Sequence, residues 1–165
     1  MIKKPSAKNR NLKLLLGITL GIAAALIVLL LFVPEKEGRS SEADGIVLYP
    51  NGETAACTVT LQGALKTYTF DQDAPVYDGT LLVDGETVGE VYLIFDGNYA
   101  VPKSDGVPAV MTQDMEIAAQ INIDGRDCLV LAPAADETTA QALLSRFLTY
   151  TIYARQQGWE AFQVK

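Results

Sequence analysis

Hydrophobic and polar positions divide the chain at one long apolar run. Residues 14–33, LLLGITLGIAAALIVLLLFV, form twenty consecutive positions without a charged side chain. A helix rises ~1.5 Å per residue, so the run would be ~30 Å long, the thickness of a bilayer's hydrocarbon core. The pattern predicts a single transmembrane helix over residues 14–33, with the lipid bilayer as its partner, after a short tail at residues 1–13.

The pattern changes after residue 45 to short apolar or alternating runs that end at turn pairs. Residues 115–123 place apolar side chains at every second position, and Asp124-Gly125 follows them. Asp-Gly is typical of the two-residue type I′ turn that joins antiparallel strands. A two-residue loop here pairs Ile123 with Arg126 and Ile121 with Cys128. We therefore expect a meander of hairpins in which Cys128 points inward.

The last part of the chain has the spacing of a helix. Apolar side chains recur at intervals of three and four between residues 140 and 151, Asp136 can cap the start, and Gly158 can end the helix. The pattern predicts a helix over residues 137–157 that packs on the sheet. Residues 149–153, TYTIY, are better suited to a strand.

These patterns together predict an α+β fold. It consists of a tail (1–13), an N-terminal single transmembrane helix (14–33), a polar linker (34–44) and one extracytoplasmic domain (45–165). The domain would contain an antiparallel β-sheet of about six to eight strands with the C-terminal helix against it.

Charge is distributed unevenly along the chain. The net charge is −7, but the first 13 residues carry five basic and no acidic side chains. The remaining 20 acidic and 8 basic residues leave 34–165 with a balance of −12. Basic flanks stay in the cytoplasm, which predicts a type II signal anchor in the cell membrane with the domain outside, in the cell envelope. A cleaved secretory signal is the alternative, and the acidity argues against a nucleic-acid partner.

The chain contains no histidine. Without histidine, Ser-His and Cys-His catalysis and His-ligated metals are excluded. Asp71, Asp73 and Asp78 match too few positions of a calcium-binding loop to predict a metal site. We therefore expect no enzyme and no cofactor, and we assign no catalytic, cofactor-binding or metal-ligating residue.

The two cysteines and a set of small residues in the apolar run can each be interpreted in two ways. Cys57 and Cys128 are the only cysteines, and they form either a disulfide or two separate buried thiols. Gly17, Gly21 and Ala25 lie four residues apart, which is typical of a close helix–helix contact and suggests a homodimer through the transmembrane helix.

Five tyrosines of the domain suggest either a carbohydrate-stacking surface or ordinary packing of the sheet. Packing is favoured because tyrosine is a common strand residue. These tyrosines are Tyr49, Tyr68, Tyr77, Tyr92 and Tyr99.

The missing catalytic residues favour a binding function. We expect a non-catalytic binding or scaffolding module whose partner is another envelope or membrane protein. One alternative is a small envelope hydrolase that uses paired carboxylates. A second is a self-associating structural or sensory membrane subunit.

Overall fold

A computed structural model gives the architecture of the chain. It describes the backbone of residues 7–68, 74–103 and 106–162, and their side chains apart from residues 7–14 and 29–32. The chain divides into two units. One contains the N-terminal helix, and the other comprises residues 36–67 and 74–165.

The N-terminal unit contains helix α1, Ala7–Phe32. Its described side chains, residues 15–28, are all exposed. Among the residues described, no helix has the length and hydropathy needed to cross a membrane. The predicted transmembrane helix is therefore wrong, as are the type II signal anchor, the cell-membrane location and the inside-to-outside orientation.

The second unit is built on a closed antiparallel barrel in which each strand pairs with the next and β8 pairs with β1. The strands are β1 (Glu35–Leu48), β2 (Thr54–Thr67), β3 (Val76–Val83), β4 (Glu86–Asp96), β5 (Tyr99–Pro102), β6 (Ala109–Thr112), β7 (Ile117–Ile123) and β8 (Arg126–Ala132). The predicted α+β class, with its transmembrane helix, is therefore wrong. The meander of hairpins is present, but its first and last strands meet because Val47 of β1 pairs with Val130 of β8.

Turn chemistry explains the hairpins. Asp84 and Asp124 each have a φ of 52°, and the glycine after each also has a positive φ. Two consecutive left-handed residues are the signature of the type I′ turn that Asp-Gly favours. The β7–β8 register is the predicted one, with Ile123 opposite Arg126 and Ile121 opposite Cys128.

Two segments differ from the expected pattern. Residues 35–44, expected as a polar linker, form the first part of β1, where alternating side chains are exposed or half-buried. Their polarity is compatible with a strand because only the end of β1, from residue 45, lies in the core. Residues 54–67 form the single strand β2, whose 14 residues make it longer than the short runs expected after residue 45.

The barrel interior is a packed core. Inward side chains of all eight strands form one buried cluster, including Leu61, Leu93 and Met111. The ring of Tyr77 lies over a cross-strand pair of glycines, Gly63 and Gly79, and its hydroxyl donates to the carbonyl of Arg39 at 3.4 Å. Burial, and then the Asp78 carboxylate, raise the pKa of Tyr77 to about 12, so the hydroxyl stays protonated.

A layer of helices covers part of the outer wall. It consists of α2 (Glu137–Tyr150), α3 (Ile152–Gln156) and the 3₁₀ helix η1 (Trp159–Phe162). Leu144, Phe147 and Trp159 are buried against outward side chains of the barrel. The predicted helix over 137–157 is interrupted at Thr151, which has an extended backbone and caps α3 by accepting from the Ala154 N–H. As predicted, Asp136 caps α2, where it accepts from the Thr139 N–H at 2.8 Å.

The glycine pair under Tyr77 gives a test of the packing. A Cβ at residue 79 would lie 2.6 Å from the Gln62 carbonyl oxygen and 2.9 Å from the Gly63 Cα. We expect Gly79→Ala to lower the free energy of unfolding by about 1–3 kcal/mol, because the added atom overpacks against backbone. Gly38→Ala is the control, since a Cβ there has no neighbour within 4 Å. Equal urea midpoints for the two variants would contradict this account.

Candidate functional site

Side chains fill the interior of the barrel, which leaves its ends and its outer wall for a ligand. Consecutive turns of an up-and-down barrel alternate between its two ends. The β3–β4 and β7–β8 turns therefore lie at the same end, where they border a recess of about 620 Å³. We call this recess the acidic mouth. It is lined by Val83, Asp84, Glu86, Thr87, Val88, Ile121, Asn122, Ile123 and Asp124.

The acidic mouth combines apolar walls with carboxylates. Asp84, Glu86 and Asp124 contribute three exposed carboxylates, and its lining contains no basic side chain. The apolar lining comes from Val83, Val88, Ile121 and Ile123 at the ends of the paired strands. The volume is within the usual range for ligand pockets, ~300–1,000 Å³.

Hydrogen bonds fix the two turns that carry the acids. The Thr58 N–H donates to Asp84 Oδ1 at 2.7 Å, which ties the β3–β4 turn to β2. Asn122 Oδ1 accepts from the Gly125 N–H at 2.9 Å, and its amide donates to Asp127 Oδ1 at 3.1 Å. Two of the three carboxylates thus belong to residues of these turns, and that of Asp84 is itself held by a hydrogen bond.

This arrangement suits a particular class of ligand. Carboxylates attract a cationic group, and apolar walls favour burial of a hydrocarbon surface beside it. The chemistry therefore fits a ligand that carries positive and apolar groups next to each other. In the part of the chain that the structure describes, no group of three or more acidic or cysteine side chains could hold a metal ion.

Comparison of the chain with protein-family models, curated proteins and solved structures found no match.

The two cysteines lie in the barrel interior as free, buried thiols. Cys57 is on β2 and Cys128 is on β8, the two strands that pair with β1. Cys128 points inward, as predicted, and its thiol donates to the Arg126 carbonyl at 3.3 Å. Burial and then Asp84 raise the pKa of the Cys57 thiol to about 11, and burial also raises the pKa of Cys128. Neither thiol lines the acidic mouth.

The proposed dimer face of α1 is exposed in the structure. Gly17, Gly21 and Ala25 are spaced four residues apart within the helix, and a Cβ at either glycine would have no neighbour within 4 Å. One copy of the chain does not test helix pairing, so this pairing stays a prediction.

The five tyrosines do not line one surface. Tyr77 is buried inside the barrel, whereas Tyr49 lies under the Arg126 guanidinium, 5.3 Å from its ring centroid. Tyr99 instead packs against the helix layer, where its ring stacks on Tyr150. Of the acids compared with a calcium loop, Asp71 and Asp73 lie outside the described residues.

Sequence reasoning missed the acidic mouth. The Asp-Gly pairs indicate turns, but their alternation between the two ends of the barrel follows only from the number and order of the strands. With eight strands in a meander, Asp84 and Asp124 come to one end and Asp96, before the β4–β5 turn, to the other. Strand counting was the signal that could have found the site.

Thiol labelling tests the placement of the cysteines. At about pH 8, near the pKa of a free thiol, we expect a thiol reagent to leave both cysteines of the folded chain unmodified, because burial disfavours the thiolate. Both should react after unfolding in urea without reductant. Rapid labelling of the folded chain would contradict their burial, and no labelling after unfolding would show a Cys57–Cys128 disulfide instead.

Proposed function

We propose that this chain is a non-catalytic binding module that recognises a basic, partly apolar segment of another protein at the acidic mouth. The observation that carries the proposal is the combination of Asp84, Glu86 and Asp124 with apolar walls in one recess. The balance of −12 over residues 34–165 supports it, because an acidic surface accelerates the approach of a basic partner.

The expected affinity follows from exposed charge pairs and a modest apolar contact. Each exposed ion pair contributes about 0.2–1 kcal/mol and is weakened by salt. Three such pairs therefore give an interaction that is weak at high ionic strength. Selectivity comes from the apolar walls, which a purely charged ligand does not fill.

A hydrolase with paired carboxylates has less support at this recess. A general acid of that kind requires a carboxyl group shielded from water. The three side chains, Asp84, Glu86 and Asp124, are all exposed. Their arrangement fits attraction to a cationic partner better than proton transfer.

Peptide binding tests the proposal. The probe is a labelled peptide of alternating lysine and leucine, followed by fluorescence anisotropy at low and high salt. The triple variant Asp84→Asn, Glu86→Gln, Asp124→Asn keeps the side-chain shapes and removes the charges. We expect it to weaken binding by roughly tenfold, since three pairs of about 0.5 kcal/mol sum to about one factor of ten.

A matched triple variant separates local from overall charge. Asp44→Asn, Asp96→Asn and Glu160→Gln remove the same charge from exposed positions outside the acidic mouth. We expect this variant to bind the peptide within about twofold of the unmodified chain. Equal weakening by both triples would reject the acidic mouth as the site, and unchanged binding of a lysine–serine peptide would reject the role of the apolar walls.

A further inference from the structure

A second recess lies at the other end of the barrel. It has a volume of about 280 Å³ and is bordered by the β4–β5 turn, the β6–β7 turn and helix α2. We call it the polar cleft, and its lining includes Asn98, Tyr99, Gln113, Asp114, Glu116 and Arg146. Because β-turns alternate between ends, the polar cleft and the acidic mouth are separate sites.

Polar side chains of the cleft are held in place before any ligand binds. Glu116 Oε2 accepts from Arg146 Nη2 at 2.5 Å and from the Thr112 hydroxyl at 3.1 Å. The Glu116 N–H donates to the same hydroxyl at 3.2 Å. Gln113 donates its side-chain amide to the Gly97 carbonyl at 3.1 Å, which links the two turns.

The β6–β7 turn, which carries Gln113 and Glu116, contains a residue with a strained backbone. Met115 has a φ of 65°, a conformation that a residue other than glycine rarely adopts. Its side chain packs against the barrel core, which holds the backbone in this conformation. Such conformations persist where the surrounding structure enforces them, and they concentrate at functional sites.

Hydrogen-bonding capacity remains on the open side of the cleft. The Arg146 side chain is 40 % exposed, and its buried Nε has no hydrogen-bond partner among the described residues. Asn98 and Asp114 are exposed. The cleft therefore offers guanidinium and amide donors beside carboxylate acceptors, with charges of both signs.

An aromatic surface adjoins the cleft. The ring of Tyr99 stacks on Tyr150 with centroids 5.8 Å apart and planes 15° apart. Tyr150, the last residue of α2, is 66 % exposed. Its ring is thus an exposed apolar surface that stacks on Tyr99, a residue of the cleft lining.

We propose that the polar cleft binds a neutral oligosaccharide, with one sugar unit among the polar groups and a neighbouring unit on Tyr150. Sugar hydroxyls both donate and accept hydrogen bonds, which matches carboxylates placed beside a guanidinium and amides. The C–H face of a sugar ring is apolar and packs on an aromatic ring. A cleft with both signs of charge favours a neutral ligand over an ion.

Saturation-transfer NMR with the full chain tests the proposal. The probes are the tetrasaccharides of β-linked N-acetylglucosamine, β-linked glucose and α-linked glucose. We expect transfer to at least one of them, an affinity loss of roughly tenfold in Tyr150→Ala, and retention within about twofold in Tyr150→Phe, which keeps the ring. Ile152→Ala is the matched control, since Ile152 is also 66 % exposed and lies outside the cleft lining.

The remaining outcomes contradict the proposal. Absence of transfer to all three probes would overturn it for neutral glycans. Binding that survives in Tyr150→Ala, or that is lost equally in Ile152→Ala, would place the ligand elsewhere. Because Tyr150 is exposed, its substitution leaves the core intact, and a circular dichroism spectrum of each variant checks this.

Discussion

Closing an eight-stranded sheet on itself leaves an interior that is just wide enough for side chains to fill. In this chain the interior is filled, and the fit is tight where Tyr77 lies on the backbone of Gly63 and Gly79. Both strands approach the same ring there, since a Cβ would lie 2.9 Å from it at Gly63 and 3.0 Å at Gly79. A filled barrel has no room for an internal ligand, so recognition is confined to its ends and outer wall.

The two ends acquire different chemistry from different elements. Tight hairpin turns border the acidic mouth, and the aspartates that make these turns favourable supply two of its three carboxylates. The polar cleft forms where α2 meets the β6–β7 turn, and the Arg146–Glu116 pair joins them. The helix layer therefore adds a surface that the barrel alone does not have, in addition to covering part of the wall.

Local chemistry was predictable from the sequence, and long-range closure was not. Asp-Gly turns, the Asp136 cap and the β7–β8 register depend on neighbouring residues, and all three are confirmed. Period-two alternation tells which side chains face inward, but not whether β1 meets β8. The apolar run does form part of a helix, Ala7–Phe32, whereas the inference that it spans a membrane is wrong. Neither recess follows from neighbouring residues, since each joins turns that are distant in sequence and meet only through the order of the strands.

The left-handed turns at the acidic mouth restrict how this surface can change during evolution. Asp84 and Asp124 occupy a backbone conformation that asparagine, aspartate and glycine accept and that long basic side chains disfavour by about 1–2 kcal/mol. A substitution can therefore neutralise either aspartate while its hairpin persists, but replacement by a basic residue would weaken the turn. At these two positions, variation among descendants of this sequence should run from acidic to neutral and stop there.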